Sequence, residues 1–167
     1  IKYRYASMGE GFSTTLQKQY RAGMAMAEVR RVLMTVFGEQ LARLYQAATR
    51  ESCDLLSYYQ FDAKWAPGVR RRVEAILGGP QPGPTITLAP GITAPNPCRF
   101  YEETLRDLRA RPPEQVWQSF VHGDLNGANI ILDGHGNVWL IDFFHTHRGH
   151  VLRDLVKLEN DVCFLWT

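Results

Sequence analysis

The sequence is poor in the features that would place it in a specialised class. It has three cysteines, Cys53, Cys98 and Cys163, widely spaced and with no CxxC pair. That excludes a disulfide framework, and the simplest account is a reduced, cytoplasmic setting. No stretch approaches the roughly 20 apolar residues that a membrane span needs, and no signal-peptide pattern opens the chain. Charge of one sign is missing too: 19 Lys and Arg stand against 17 Asp and Glu, a formal net charge of +2. Such a balance sets up no long-range field for nucleic acid or for a membrane surface. There are no internal repeats.

What remains is ordinary for a folded chain. Hydrophobic residues make up 45% and charged residues 22% of 167 residues, about one domain's worth. The chain opens on Ile1 rather than methionine and closes within the apolar run Phe164-Leu165-Trp166-Thr167, so the expectation is a piece of a longer protein.

Ile1 to Ala6 alternates apolar and basic residues and predicts a half-buried strand. Ser7 to Phe12, with Gly9 and Gly11, predicts a turn or hinge. Thr14 and Gln17 form a capping-box pattern that opens helical sequence reaching about Arg50. Within it Val29, Val32, Leu33, Val36, Phe37, Leu41, Leu44 and Tyr45 recur at helical spacing as one buried stripe, with a break at Gly38. A weaker helix is predicted over Val69–Leu77, with Pro67 near its first turn and Gly78-Gly79 as its stop. Six of the nine prolines fall between Pro80 and Pro97, which predicts an extended surface insertion. Helical sequence resumes at Arg99 and stops at Pro112-Pro113. Two β-rich runs, Asn129–Asp133 and Asn137–Asp142, flank a strong hairpin turn. A polar, His-rich loop follows, then helical spacing from Val151 to Phe164.

The chemistry concentrates around that hairpin. The loop before it reads VHGDLNGANIILD, and the hairpin ends in LIDFF. Antiparallel pairing is expected to set Asn129 and Asp142 side by side, with Asp124 in the adjoining loop. Two carboxylates and an amide oxygen converging in this way suit Mg²⁺, a hard cation that keeps waters and binds phosphate oxygens.

These residues resemble the catalytic and metal loops of the protein-kinase-like superfamily, HRDxxxxN and DFG. The HGD form resembles its small-molecule branch, the aminoglycoside and choline kinase-like phosphotransferases. His122 and Asp124 match the loop's His and Asp, Asn129 falls five residues after Asp124, and Asp142 precedes Phe143 as the metal-loop Asp does. Arg153-Asp154-Leu155 resembles the start of the next helix. The resemblance implies an α+β, mostly helical C-lobe with a small catalytic β-hairpin. Residues 1–12 would be the last N-lobe strand and hinge, 13–79 helical, 80–98 an insertion, and 99–167 the catalytic loop, hairpin, metal loop and following helix.

It also implies roles. Asp124 would deprotonate an acceptor hydroxyl, and Asn129 and Asp142 would hold Mg²⁺ on the phosphates of ATP. His122 would support the loop, and Asp154 would accept bonds from its amides. The partners implied are a nucleotide, a hydroxyl-bearing small molecule and the N-lobe of the same polypeptide. Two departures carry meaning: Gly123 replaces the Arg of HRD, which removes the partner of a phosphorylated activation segment, and Phe144 replaces the Gly of DFG. No VAIK-like Lys precedes the helical region, and Gly9-Glu10-Gly11 is too short for a phosphate loop.

Two other readings stand beside this one. The first is a catalytically inactive kinase-like module that binds or regulates within a larger multidomain protein. The second is a metal-dependent hydrolase using His145, His147 and His150, against which a solvated loop is the plainer expectation. Arg70-Arg71-Arg72 reads as a solvated helix face, and the three cysteines carry no nucleophile pattern.

Overall fold

Helix and strand alternate along the chain in short pieces. The computed structural model describes residues 13–166, so the strand expected over 1–6 and the hinge over 7–12 lie outside the described residues. The first elements are β1 (Thr14–Thr15), α1 (Leu16–Arg21), α2 (Met26–Met34), α3 (Ala42–Gln46) and β2 (Thr49–Cys53). Next come α4 (Leu55–Tyr58), α5 (Ala66–Leu77), β3 (Thr85–Ala89), β4 (Ile92–Pro95), α6 (Pro97–Arg99) and α7 (Leu105–Arg109). The last are β5 (Glu114–Val121), β6 (Ile130–Leu132), β7 (Val138–Leu140), β8 (His147–His150) and α8 (Arg153–Asn160). The fold is α+β, with about 48% of described residues helical and 22% in small antiparallel sheets. No helix among the described residues is long and apolar enough to cross a membrane.

The chain divides into two compact units. One combines residues 13–51 with 116–166, and the other is Ser52–Gln115.

In the first unit, Thr15 caps α1 by accepting the Lys18 amide at 3.2 Å, one residue later than the capping pattern suggests. The helical stretch expected to run to Arg50 breaks at Gly23, whose φ of +87° is left-handed, and not at Gly38. Gly38 instead lies in a π-helical turn, Thr35–Gln40, between α2 and α3. That turn explains the spacing of the apolar stripe. Val29, Val32 and Val36 step by three and four, but Leu41 comes five residues after Val36. The Leu41 amide correspondingly bonds to the Val36 carbonyl at 2.9 Å, the five-residue reach of a π turn. Val32, Val36 and Leu41 are thereby kept on one buried face.

That face packs with Leu16, Leu125, Ile130, Leu132, Val138, Leu158 and Trp166 into a single core. β6 and β7 pair antiparallel, with Ile130 opposite Leu140 and Leu132 opposite Val138, and β1 extends this sheet beside β6. β8 pairs with β5, Val121 opposite His147. The segment expected to be a polar His-rich loop is therefore partly a strand. It finds ladder partners on β5, which a reading of local polarity alone does not reveal.

The second unit shows α5 starting with Pro67 in its first turn and ending at Gly78 in the left-handed region, φ +76°. The proline-rich segment is more ordered than a surface insertion. β3 and β4 form a hairpin with Thr85 opposite Pro95, and Ile86 is buried. Asn96 secures it: its side-chain nitrogen donates to the carbonyls of Gln81 and Gly83 at 2.7 and 2.8 Å, while its oxygen caps α6. Arg70 pairs bidentately with Glu102 at 2.8 and 2.5 Å.

The β6–β7 turn is built on one carboxylate. Asp133 accepts from the Trp139 indole at 3.0 Å, the Asn137 side-chain amide at 2.8 Å and the backbone amides of His135 and Asn137. The indole, then the Asn137 amide, hold the carboxyl far below the usual carboxylate range. Because the folded group is the stronger acid, its stabilising contribution is complete above the unfolded value of ~3.9 and is lost only as pH falls through the lower folded value. The Trp139 indole N–H resonance is accordingly expected to hold its position from pH 7 to about 4 and to move only in stronger acid, as ¹H–¹⁵N spectra would show. In the core, Leu125→Ala is expected to cost about 2–5 kcal/mol in urea unfolding, whereas Leu88→Ala on the exposed face of β3 costs less than about 0.5 kcal/mol.

Candidate active site around the HGD loop

β5 ends at Val121, and the amides of the next two residues, His122 and Gly123, need an acceptor from outside the ladder. Asp154, at the start of α8 and fully buried, supplies the missing acceptor. Its Oδ2 accepts the His122 amide and its Oδ1 the Gly123 amide, both at 2.8 Å. The Tyr45 hydroxyl donates to Oδ2 at 2.9 Å. Three donors satisfy a buried carboxylate that would otherwise be costly. Burial first, and then the Asp154 charge, push the Tyr45 hydroxyl well above its ordinary pKa, so it stays a donor.

Gly123 is demanded twice over. Its φ is +85°, and a Cβ there would fall 2.1 Å from the His145 carbonyl oxygen. A side chain at this position would meet that carbonyl head-on, so the loop requires glycine here. His122 is buried beneath the loop. Its Nε2 donates to the Ile141 carbonyl at 2.8 Å, and its ring lies 4.6 Å from that of Phe143. The other ring nitrogen, Nδ1, is buried without a partner.

Asp124 is half-buried. Its carboxylate Oδ1 lies 3.5 Å from the Lys157 ammonium. Its backbone carbonyl accepts from the side-chain nitrogens of Asn126 and Asn129, at 3.1 and 2.9 Å. Asn126 in turn accepts the amides of Ala128 and Asn129 at 2.9 and 3.2 Å. Leu125 is pinned in the core. Gly127 lies against Trp166, where a Cβ would fall 1.9 Å from the indole ring. Every second residue of the loop is thus anchored inward.

Asn129 and Asp142 meet almost, but not quite, as antiparallel pairing predicts. The residue opposite Asn129 is Ile141, whose amide donates to the Asn129 carbonyl at 3.1 Å. Asp142 lies one residue beyond, where the chain turns out of the ladder through φ +63°. An Asp tolerates that conformation better than most residues, at a cost of order 1 kcal/mol or more. Its side chain is exposed and makes no cap bond to the turn that follows. A continuous chain of bonds therefore links Asp124 through Asn129 to the residue before Asp142. The potential cation donors on this path are oxygens only, since the Asn129 nitrogen is already spent on Asp124.

The histidine cluster behaves differently. His147 is on β8 and its Nδ1 bonds the His145 carbonyl at 2.8 Å. Burial pushes the pKa of His150 down. No group of three His, Cys, Asp or Glu among the described residues gathers to hold a metal ion.

Residues 83–166, half of the chain, match the family described as Ternary complex associated domain 9. The chain belongs to the Ternary complex associated domain 9 family. The matched stretch contains the HGD loop, the β6–β7 hairpin and α8, while Tyr45 lies outside it. The family description names no reaction. No curated protein and no solved structure matches the chain.

Two members of the site escape a reading of the loop motif alone. Tyr45 is remote in sequence and reads only as the last residue of an apolar stripe. Lys157 does carry a signal, since it follows Asp154 by three residues and must share its helix face. Removing the acceptor at the base of the loop tests the arrangement. Asp154→Asn offers one oxygen to two amides and leaves one N–H unsatisfied, so it is expected to cost about 2–3 kcal/mol, a fall of roughly 4–12 °C in Tm by calorimetry.

Proposed function

We propose that this domain carries the catalytic half of an ATP- and Mg²⁺-dependent phosphotransferase that moves the γ-phosphoryl group to the hydroxyl of a small molecule. In this reading the fold is a kinase-like C-lobe. The nucleotide's remaining contacts come from an N-lobe of the same polypeptide. The resemblance of VHGDLNGAN and LIDFF to the aminoglycoside and choline kinase-like enzymes supports it. The single observation that carries it is the bonded path from the Asp124 backbone carbonyl through Asn129 to Ile141, which ties the backbone of the loop acid to the strand end beside Asp142.

Each residue then has a role that its chemistry permits. Asp124 orients the acceptor hydroxyl and takes its proton as the oxygen bonds to the γ-phosphorus and the bond to the β–γ bridging oxygen breaks, a contribution of roughly 10²–10⁴ in rate. Asn129 through Oδ1 and Asp142 through its carboxylate would hold Mg²⁺, and oxygen donors few in number suit an ion that completes its shell with water and phosphate. When bound, Mg²⁺ neutralises charge on the β- and γ-phosphates. His122 and Asp154 do not touch substrate; they fix the loop from beneath. Loop phosphorylation has no place in this scheme, because the Gly123 position cannot hold the Arg that would read it. The near-neutral composition and the free thiols of Cys53, Cys98 and Cys163 accord with a cytoplasmic enzyme that binds neither nucleic acid nor membrane.

A second reading has one observation in its favour: the family's description speaks of ternary complex association. On that reading the HGD site is a vestige within a binding or regulatory module of a larger multidomain protein. ATP turnover by the full-length protein separates the two. Phosphotransfer predicts a fall of about 10²-fold or more for Asp124→Asn and a comparable loss for Asp142→Asn, the latter partly restored by raising Mg²⁺. Equal turnover in all three proteins would favour the binding module.

A further inference from the structure

Helix α8 presents three charged residues to the HGD loop, and two of them, Asp154 and Arg153, whose Nε reaches the Gly123 carbonyl at 3.5 Å, are explained by support of the backbone. Asp154 holds the loop amides. Lys157, one turn along the same face, brings its Nζ to 3.5 Å from Asp124 Oδ1, with both side chains about one-third exposed (35% and 32%). An exposed ion pair of this kind adds little to stability, and the loop is already fixed from several directions. The position of the ammonium is better explained by what Asp124 faces.

We infer that Lys157 is a catalytic residue that binds the transferring γ-phosphoryl group; this rests on the phosphotransferase reading above. An acid that takes the acceptor's proton lies about 3 Å from the hydroxyl oxygen. That oxygen in turn lies about 3–3.5 Å from phosphorus in a reactive complex. A cation 3.5 Å from the acid lies at most about 10 Å from phosphorus, and within reach of the equatorial phosphoryl oxygens where the ammonium and the hydroxyl share one side of the carboxylate. An ammonium has three donors. One is directed at Asp124 and two remain for those oxygens, where negative charge concentrates in transfer. The charge also offsets repulsion between the Asp124 carboxylate and the incoming phosphate, which would otherwise oppose binding of ATP.

Asp154 gives the arrangement its stiffness. With Asp154 tied to His122 and Gly123, the three-residue spacing fixes the Lys157 backbone relative to the loop. The phosphate contact and the loop geometry are therefore set by one helical turn.

Binding of MgATP and MgADP to the full-length protein tests the inference, because only ATP carries the γ-phosphate. Lys157→Met is expected to weaken MgATP by about 10- to 100-fold while leaving MgADP unchanged. Lys157→Arg should retain most of the preference for ATP. Asp124→Asn should bind MgATP as tightly as the parent or more tightly, since it removes a negative charge and leaves the ammonium in place. A merely structural ion pair predicts the opposite pattern, with Lys157→Met and Asp124→Asn equivalent and both nucleotides affected alike. An unchanged ratio of ATP to ADP affinity in Lys157→Met would overturn the inference while leaving the phosphotransferase reading intact. Failure of the parent protein to bind MgATP at all would remove both.

Discussion

A buried carboxylate facing two consecutive backbone amides is the constraint from which the rest of this molecule follows. Asp154 cannot remain charged in the interior without donors, and the His122 and Gly123 amides cannot remain buried without an acceptor. Each makes the other affordable, and the Tyr45 hydroxyl completes the set. Once those bonds are made, α8 and the end of β5 are fixed relative to each other. The direction in which Asp124 leaves the loop follows from that. Glycine at 123 is then a geometric necessity, since the turn that satisfies Asp154 also brings the His145 carbonyl to where a side chain would begin.

The apolar core does a different job. Leu125 and Ile130 flank the polar loop residues and sink into the same cluster as the stripe of α2 and α3. The polar side chains between them are thus held at the surface of a close-packed interior. The π turn at Thr35–Gln40 allows one helical run to supply that interior along its whole length. In an unbroken α-helix the five-residue step would have left Leu41 about 140° around from Val36. Sequence-local economy, one additional residue in one turn, keeps the stripe in register with the hairpin.

Much of this is legible from residue order, and the exceptions share a cause. The apolar stripe, α5 with its proline start and glycine stop, the β6–β7 hairpin and the terminal helix all announce themselves through short-range spacing. The proximity of Asn129 to the end of β7 follows from antiparallel pairing. The one-residue offset of Asp142 does not, because it depends on where the chain turns out of the ladder. The break at Gly23 competes with a helical pattern on both sides, and only its left-handed dihedral decides it. The strand at His147–His150 was obscured because its polar composition resembles a loop and its pairing partner lies on β5, far back in the chain. In the proline-rich segment the alternation Thr85-Ile86-Thr87-Leu88 marks the strand β3, but its order also depends on Asn96, which acts through carbonyls more than ten residues away. Tyr45 and Lys157 join the site across comparable separations, in each case through a helix whose local pattern concerns packing.

The contact between Gly127 and the Trp166 indole ties the loop to the turn that follows α8. Because the ring occupies the space where a side chain would stand, neither partner can leave its place without opening a void beside the other. The two segments are therefore expected to open as one cooperative unit. Fraying of the helical end and loss of order in the loop would then be one event, and amide hydrogens in both would exchange with solvent in concert.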